Sequence, residues 1–199
     1  MKFCLETLKT ECLPPRVPCA AAGCELPAVW DTSRCWQHAE DQAALRARIV
    51  EALTAKSSLV GVCLAGVDLA GLNLEKVDLS YSNLSRANLE KCVLRGAQLD
   101  HVLAEGACLA GADLSGASLM FACLGLAKCD GARFTDATAE NVNFVGASLV
   151  GADFSGALLF YSRFASADCT GATFRGADIE RVKASLEGLV RQVFLYRAT

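Results

Sequence analysis

The chain has 199 residues, of which 53% are hydrophobic and 21% are charged. It is therefore too apolar to be disordered and long enough to bury one sizeable core. Its formal net charge of −3 argues against a general binder of nucleic acids or of anionic membranes.

No segment of the sequence is suited to crossing a membrane. The longest uncharged run, 114–127, has 14 residues, whereas a transmembrane helix needs about 18 or more. The first residues also lack the apolar core of a signal peptide. We therefore expect a cytoplasmic protein whose 11 cysteines are reduced thiols or metal ligands.

The N-terminal module, 1–38, contains four potential metal ligands with the spacing C-x4-C-x10-C-x2-H. Three thiolates and an imidazole suit structural zinc, and metal would supply folding energy that so short a segment lacks. The spacing resembles a zinc-ribbon or zinc-knuckle module. The alternative is a set of unrelated cysteines, or two that form a disulfide, and two spare thiols could replace a ligand. The predicted ligands are Cys19, Cys24, Cys35 and His38, and the spare thiols are Cys4 and Cys12.

A short amphipathic helix is predicted over 39–56. Its apolar residues Leu45, Ile49, Ala52 and Leu53 fall on one face of a helix with about 3.6 residues per turn. Such a face can cover the open end of the structure that follows. We therefore expect this segment to act as a linker and a cap.

Residues 57–181 form 25 consecutive five-residue repeats without an insertion or deletion. The central position, i, is Leu in 15 repeats and Phe in five, and position i−2 is Ala in 15. An α-helix would scatter such residues around its axis, and a strand would place them on alternating faces. The backbone must therefore turn once per repeat, with i−2 and i inside and the other positions outside. Gly, which favours turns with positive φ, occupies i+2 in 13 repeats.

These repeats resemble the pentapeptide-repeat family, whose pattern Ala-(Asp/Asn)-Leu-X-X is read at 87–89 and 112–114. The resemblance implies a mainly β fold, a right-handed quadrilateral β-helix with four pentapeptides per coil and about six coils in all. Residues twenty apart then share a column. Two inward columns are Leu74, Leu94, Leu114, Phe134, Phe154, Phe174 and Leu64, Leu84, Ala104, Leu124, Phe144, Phe164.

One outward column is rich in aromatic residues. At i+2 it reads Gly61, Tyr81, His101, Phe121, Asn141, Tyr161, Arg181. Aligned apolar side chains on a polar rod predict a surface for a partner or for a second copy. The alternative is lateral stacking that only stabilises this side. With two neighbouring i+1 residues, the candidate partner-binding residues are Tyr81, His101, Met120, Phe121, Phe160 and Tyr161.

A second helix is predicted over 182–199. Its apolar surface exceeds what a cap requires, so we expect it to cap the last coil and to form a homodimer contact. The predicted dimerisation residues are Leu189, Val193, Phe194, Leu195 and Tyr196.

The sequence lacks a phosphate loop, a nucleophile elbow and a metalloprotease motif. We therefore expect a protein-binding rod without enzymatic activity. Its repeats are acidic, since 57–181 contains 14 Asp or Glu and nine Lys or Arg.

Three partners follow from these features. Some pentapeptide-repeat proteins are acidic rods that resemble duplex DNA, occupy the DNA-binding saddle of DNA gyrase and confer resistance to topoisomerase poisons. The resemblance thus implies interaction with gyrase, or another type II topoisomerase, by DNA mimicry. The alternative is a scaffold or regulator that binds another protein through the aromatic side. Nucleic-acid binding by the zinc module is disfavoured, because carboxylates intervene between its arginines.

Overall fold

The computed structural model describes residues 17–55 and 59–182. One α-helix, α1, spans Gln42–Thr54, and a single 3-10 turn at Trp36–His38 precedes it. From residue 59 onward, the described chain pairs through parallel one-residue bridges rather than through long strands. Each bridge joins residues 20 apart, beginning with Cys63 and Asn83. Four five-residue repeats therefore complete one coil of a β-helix.

The corners of the coils repeat one hydrogen-bonding pattern. The N–H of Leu64 donates to the carbonyl of Asn83 in the next coil at 2.7 Å, and the N–H of Gly66 donates to that of Ser85 at 2.9 Å. The N–H of Val67 closes the turn on the carbonyl of Leu64 at 3.1 Å. These bonds join neighbouring coils. They also pair the backbone N–H and C=O groups, to which the apolar core side chains cannot hydrogen-bond.

All 25 i+2 positions have a positive φ, between +55° and +73°. Thirteen are glycine, and the other 12 carry side chains, although left-handed backbone costs such a residue about 1–2 kcal/mol. The path of the coil, rather than the local residue, therefore dictates the turn.

The side chains at i stack in columns inside the β-helix. Phe154 stacks on Phe134 and Phe174, with ring centroids 4.6 and 5.0 Å apart, and Phe144 stacks on Phe164 at 4.9 Å. The two columns meet edge to face at 5.7–6.1 Å. Both arrangements are favourable for aromatic quadrupoles, so the C-terminal half of the β-helix has an aromatic core.

Helix α1 lies at the start of the β-helix. The side chain of Asp41 caps it by accepting from the N–H of Ala44 at 2.9 Å. One stripe of the helix, Leu45, Ile49 and Leu53, is buried in the same hydrophobic core as the first coils.

The N-terminal module and helix α1 together cover the open edge of the first coil. Along the β-helix, the carbonyl at i−1 accepts from the preceding coil, but the first coil has no predecessor. Here the N–H of Trp30 donates to the carbonyl of Cys63 at 2.7 Å, and Nε of Arg46 donates to that of Asp68 at 2.9 Å. The module and helix α1 thus supply donors that a further coil would have supplied.

Some predictions lie outside the described residues. They include the helix beyond residue 182, its five predicted dimerisation residues, and the spare thiols Cys4 and Cys12. The homodimer contact stays a prediction. Among the described residues, no helix combines the length and hydrophobicity that a membrane crossing requires.

Candidate metal centre and binding face

The four predicted metal ligands lie together in the N-terminal module. Their ligand atoms, the sulfurs of Cys19, Cys24 and Cys35 and a ring nitrogen of His38, lie within 4.8 Å of one another. The sulfurs of Cys24 and Cys35 are 3.8 Å apart, and Nδ1 of His38 is 3.5 Å from two of the sulfurs. With metal–sulfur bonds of about 2.3 Å and metal–nitrogen bonds of about 2.0–2.1 Å, a tetrahedron has edges of about 3.5–3.8 Å. These three distances match such edges, so the cluster is close in size to a tetrahedral Cys3His metal site.

Two local structures position these ligands. An antiparallel bridge between Pro18 and Pro27 folds the first segment back on itself and brings Cys19 and Cys24 close. The sharp reversal uses Gly23, whose φ is +74°. Cys35 directly precedes the 3-10 turn, which ends at the fourth ligand, His38.

The surroundings of Cys19 favour its thiolate. Hydrogen bonds from the backbone of Cys35 and from the N–H of Ala21, together with the His38 side chain, lower the pKa of the Cys19 thiol to about 6, although desolvation opposes this shift. Thiolates are the form of cysteine that binds metal. Cys19 and Cys35 are buried, Cys24 is half-buried and His38 is exposed.

We call one side of the β-helix face 1. It consists of the outward positions of the repeats whose central residues are 59, 79, 99, 119, 139, 159 and 179. Its i+2 side chains form an aromatic stack. The rings of Tyr81 and His101 lie 4.7 Å apart and nearly parallel, and those of His101 and Phe121 lie 5.0 Å apart. Further along face 1, Phe160 and Tyr161 meet edge to face at 4.3 Å.

Face 1 differs from the other three sides at position i+2. Elsewhere in the described chain, a long side chain at i+2 is followed one coil later by glycine, over which it lies. The side chain of Leu126, for example, would be 2.9 Å from a Cβ placed on Gly146. On face 1, six consecutive i+2 residues carry side chains. Flat rings permit this, because strands about 4.8 Å apart match their stacking distance.

The four aromatic residues at i+2 occupy strained positions, and two of them are exposed. Each has a positive φ, and Phe121 and Tyr161 are 40% and 37% exposed. A stacked pair gains about 0.5–1.5 kcal/mol, which does no more than offset a backbone cost of about 1–2 kcal/mol per residue. Stacking alone therefore gives little reason to prefer these residues to glycine, and strained residues of this kind cluster at functional sites.

Face 1 also carries most of the net negative charge of the repeats. The ion pairs on the β-helix among the described residues belong to other sides, such as that of Lys91 with Glu90 and those of Arg95 and Arg133 with Asp113. None of them involves a carboxylate of face 1. This side has five carboxylates and one guanidinium. The residues are Asp78, Asp100, Glu140, Asp178, Glu180 and Arg181.

Two carboxylates of this side, Asp78 and Asp100, were not among the predicted site residues. They line a groove of about 470 Å³ together with Tyr81, His101, Met120 and Phe121. Their position could have been predicted from the sequence, because a coil of twenty residues places both of them beside the aromatic column.

The repeated coils define a solenoid, and comparison with known proteins assigns its family. The model of the family described as pentapeptide repeats matches in eight copies over residues 57–96, 97–128, 127–160 and 152–185. These matches cover more than half of the chain, which therefore belongs to the pentapeptide-repeat family. Proteins of this family adopt a right-handed β-helix and are generally structural or binding proteins rather than enzymes.

Solved structures of the same family are similar at low identity. Rfr23 from the cyanobacterium Cyanothece 51142 is 22% identical over 70% of this chain and 99% of its own, with a TM-score of 0.35. HetL from Nostoc sp. strain PCC 7120, involved in heterocyst differentiation regulation, is 20% identical over 68% and 95%, with a TM-score of 0.23. A trypsin-treated form of QnrB1, a plasmid-mediated fluoroquinolone resistance protein, is 17% identical over 70% and 84%, with a TM-score of 0.32. Comparison with curated protein sequences found no match.

Proposed function

We propose that this protein is a non-enzymatic rod that binds a partner protein through face 1. One observation carries the proposal: among the described residues, exposed aromatic rings and carboxylates that make no ion pair share a single side of the β-helix. Aromatic anchors supply most of the binding energy in protein interfaces, and unneutralised charge selects a partner of opposite sign. The partner therefore presents a basic surface.

A type II topoisomerase such as DNA gyrase is the particular partner that we propose. Its DNA-binding surface is basic, and a rod of about six coils with strands about 4.8 Å apart is roughly 30 Å long. Five more acidic than basic side chains in 57–181 support binding in place of DNA. In this proposal, occupation of the enzyme confers resistance to topoisomerase poisons.

A supercoiling and cleavage-complex assay with gyrase tests this partner. The purified, zinc-loaded protein is titrated with and without a gyrase poison. We expect inhibition of supercoiling, or fewer poison-stabilised breaks, at low micromolar protein. Unchanged supercoiling and cleavage at tens of micromolar would exclude gyrase and leave a different basic partner for face 1, which capture experiments would then identify.

Paired surface variants test whether face 1 is the interface. Phe121→Ser with Tyr161→Ser removes two exposed rings from face 1, whereas Leu126→Ser with Val150→Ser removes two exposed apolar side chains from other sides. We expect the first pair to abolish partner capture and the second to leave it intact. The proposal would be contradicted if both pairs lost partner capture equally, or if the first pair kept it.

We further propose that the Cys3His cluster holds a structural zinc ion. The distances between the ligand atoms, and a donor set without a carboxylate, support zinc in a closed tetrahedral site. Bound zinc would cross-link the four ligands and stabilise the fold of the module. A reducing compartment such as the cytoplasm would keep the thiols available.

A further inference from the structure

We propose that the groove on face 1 binds an arginine side chain of the partner. This inference rests on the proposed function, because it names the group on the partner that face 1 recognises. It draws on the shape and chemistry of the groove and on an intramolecular contact elsewhere on the same face.

The groove presents flat rings beside carboxylates. Its wall is the stack of Tyr81, His101 and Phe121, and Asp78 and Asp100 lie along it. A guanidinium is planar, stacks on aromatic rings and binds carboxylates through paired N–H donors, whereas an ammonium is a compact and strongly hydrated charge. The combination therefore favours arginine over lysine.

One oxygen of each carboxylate accepts hydrogen bonds that hold the side chain in place. Oδ1 of Asp100 accepts from the hydroxyl of Ser118 at 2.6 Å and from the N–H of Met120 at 2.9 Å. Oδ1 of Asp78 accepts from the N–H of Ser80 at 3.0 Å. Within the described chain, these bonds occupy Oδ1 and leave Oδ2 of both side chains to a ligand. A carboxylate that is already oriented loses little conformational freedom when it binds a cation.

The chain itself places an arginine on the same face. The guanidinium of Arg181 lies over the rings of Phe160 and Tyr161, 5.7 and 5.6 Å from their centroids, and it donates to the Tyr161 hydroxyl. Two coils earlier, Met120 and Phe121 occupy the positions of that ring pair.

The groove lacks a cation of its own at the equivalent place. The residue that follows Phe121 by one coil, as Arg181 follows Tyr161, is Asn141. Its amide is neutral. The groove thus repeats the apolar part of the Arg181 contact, adds the carboxylates of Asp78 and Asp100, and leaves the place of the guanidinium to the partner.

A titration monitored by NMR tests the inference with defined probes. Acetyl-arginine amide, acetyl-lysine amide and acetyl-citrulline amide are added to the full-length protein at millimolar concentrations. Citrulline has the shape of arginine without its charge. We expect arginine amide to shift the amide resonances of face 1 and to bind about tenfold more tightly than citrulline amide, with lysine amide between them.

Two aspartate variants provide a matched control. Asp130 lies on another side and makes the same local contacts as Asp100, accepting from the hydroxyl of Ser148 and the N–H of Val150. None of the stacked rings in the described part of the chain adjoins it. We expect Asp100→Asn to weaken arginine binding several-fold and Asp130→Asn to leave it unchanged. Equal binding of arginine and citrulline amides, or equal effects of the two substitutions, would overturn the inference.

The inference and the proposed function can fail separately. If the probes bind alike while Phe121→Ser with Tyr161→Ser still abolishes partner capture, face 1 is an interface that does not select arginine. If arginine amide binds face 1 but partner capture survives the double substitution, the groove is an arginine site and the partner docks elsewhere.

Discussion

Two buried serines replace the usual turn hydrogen bond of the β-helix. At most corners, the N–H at i+3 donates directly to the carbonyl at i. At the corner that begins at Ala139, the hydroxyl of Ser162 from the next coil donates to the carbonyl of Ala139 at 2.6 Å and accepts from the N–H of Val142 at 3.0 Å. Ser82 does the same four coils earlier on the same side, between Leu59 and Val62. A polar side chain is therefore retained at an inward i−2 position.

Substitution of Ser162 by Ala tests this role. It leaves a buried carbonyl and a buried N–H without their partner, and we expect the free energy of unfolding to fall by about 1–3 kcal/mol. Ser155→Ala is the control, because the hydroxyl of Ser155 binds the partly exposed Asp153 at the surface, and we expect less than about 0.5 kcal/mol. Urea unfolding measures both. Equal stability of the two variants would show that the inserted hydroxyl is dispensable.

At the scale of the structural element, the phenylalanine columns unite several coils. Phe154 is central, because it stacks on a ring in each neighbouring coil and meets Phe144 and Phe164 edge to face. Phe174 ends its column and stacks on one described ring only. In a solenoid, stability comes from contacts between neighbouring repeats, so the position of a ring within its column should determine its contribution.

Substitution of Phe154 by Leu removes two stacking contacts and keeps the position apolar. We expect a loss of about 1–3 kcal/mol in the free energy of unfolding. Phe174→Leu removes one stacking contact at the end of the column, and we expect roughly half of that loss. Denaturant titrations of both variants provide the measurement. A larger loss for Phe174→Leu would contradict an additive column of stacked rings.

For the whole molecule, the N-terminal module couples a candidate metal centre to the β-helix. Trp36, the neighbour of Cys35, lies against the first coil, with its Cβ 3.8 Å from where a Cβ on Gly66 would be. Trp30 pairs with the carbonyl of Cys63. Loss of the metal would therefore free an edge of the β-helix that can pair with another molecule.

Removal of zinc by a chelator tests this coupling. The chain has two tryptophans, both in the module, so their fluorescence reports its structure. We expect a red-shifted emission, a lower melting temperature and concentration-dependent light scattering after chelation, all reversed by zinc. Cys24→Ser should reproduce these effects, whereas Cys108→Ser, a change in the outer wall, should not. A purified protein without bound zinc, or unchanged emission after its removal, would refute the structural zinc site.

The strict five-residue period of the amino-acid sequence by itself determined that the backbone turns once per repeat and that positions i−2 and i lie inside. The resemblance to the pentapeptide-repeat family implied the β-helix with four repeats per coil, and with it the inward columns and the aromatic side. The sequence also identified Cys19, Cys24, Cys35 and His38, whose spacing is local. Only the tertiary structure showed the contacts that do not repeat along the chain. The pairing of Trp30 with the first coil, the insertion of Ser162 into a corner and the anchoring of Asp100 by one oxygen depend on packing geometry between coils, or between the coil and the N-terminal module. Such contacts join residues far apart in the chain, so no local pattern of residues encodes them.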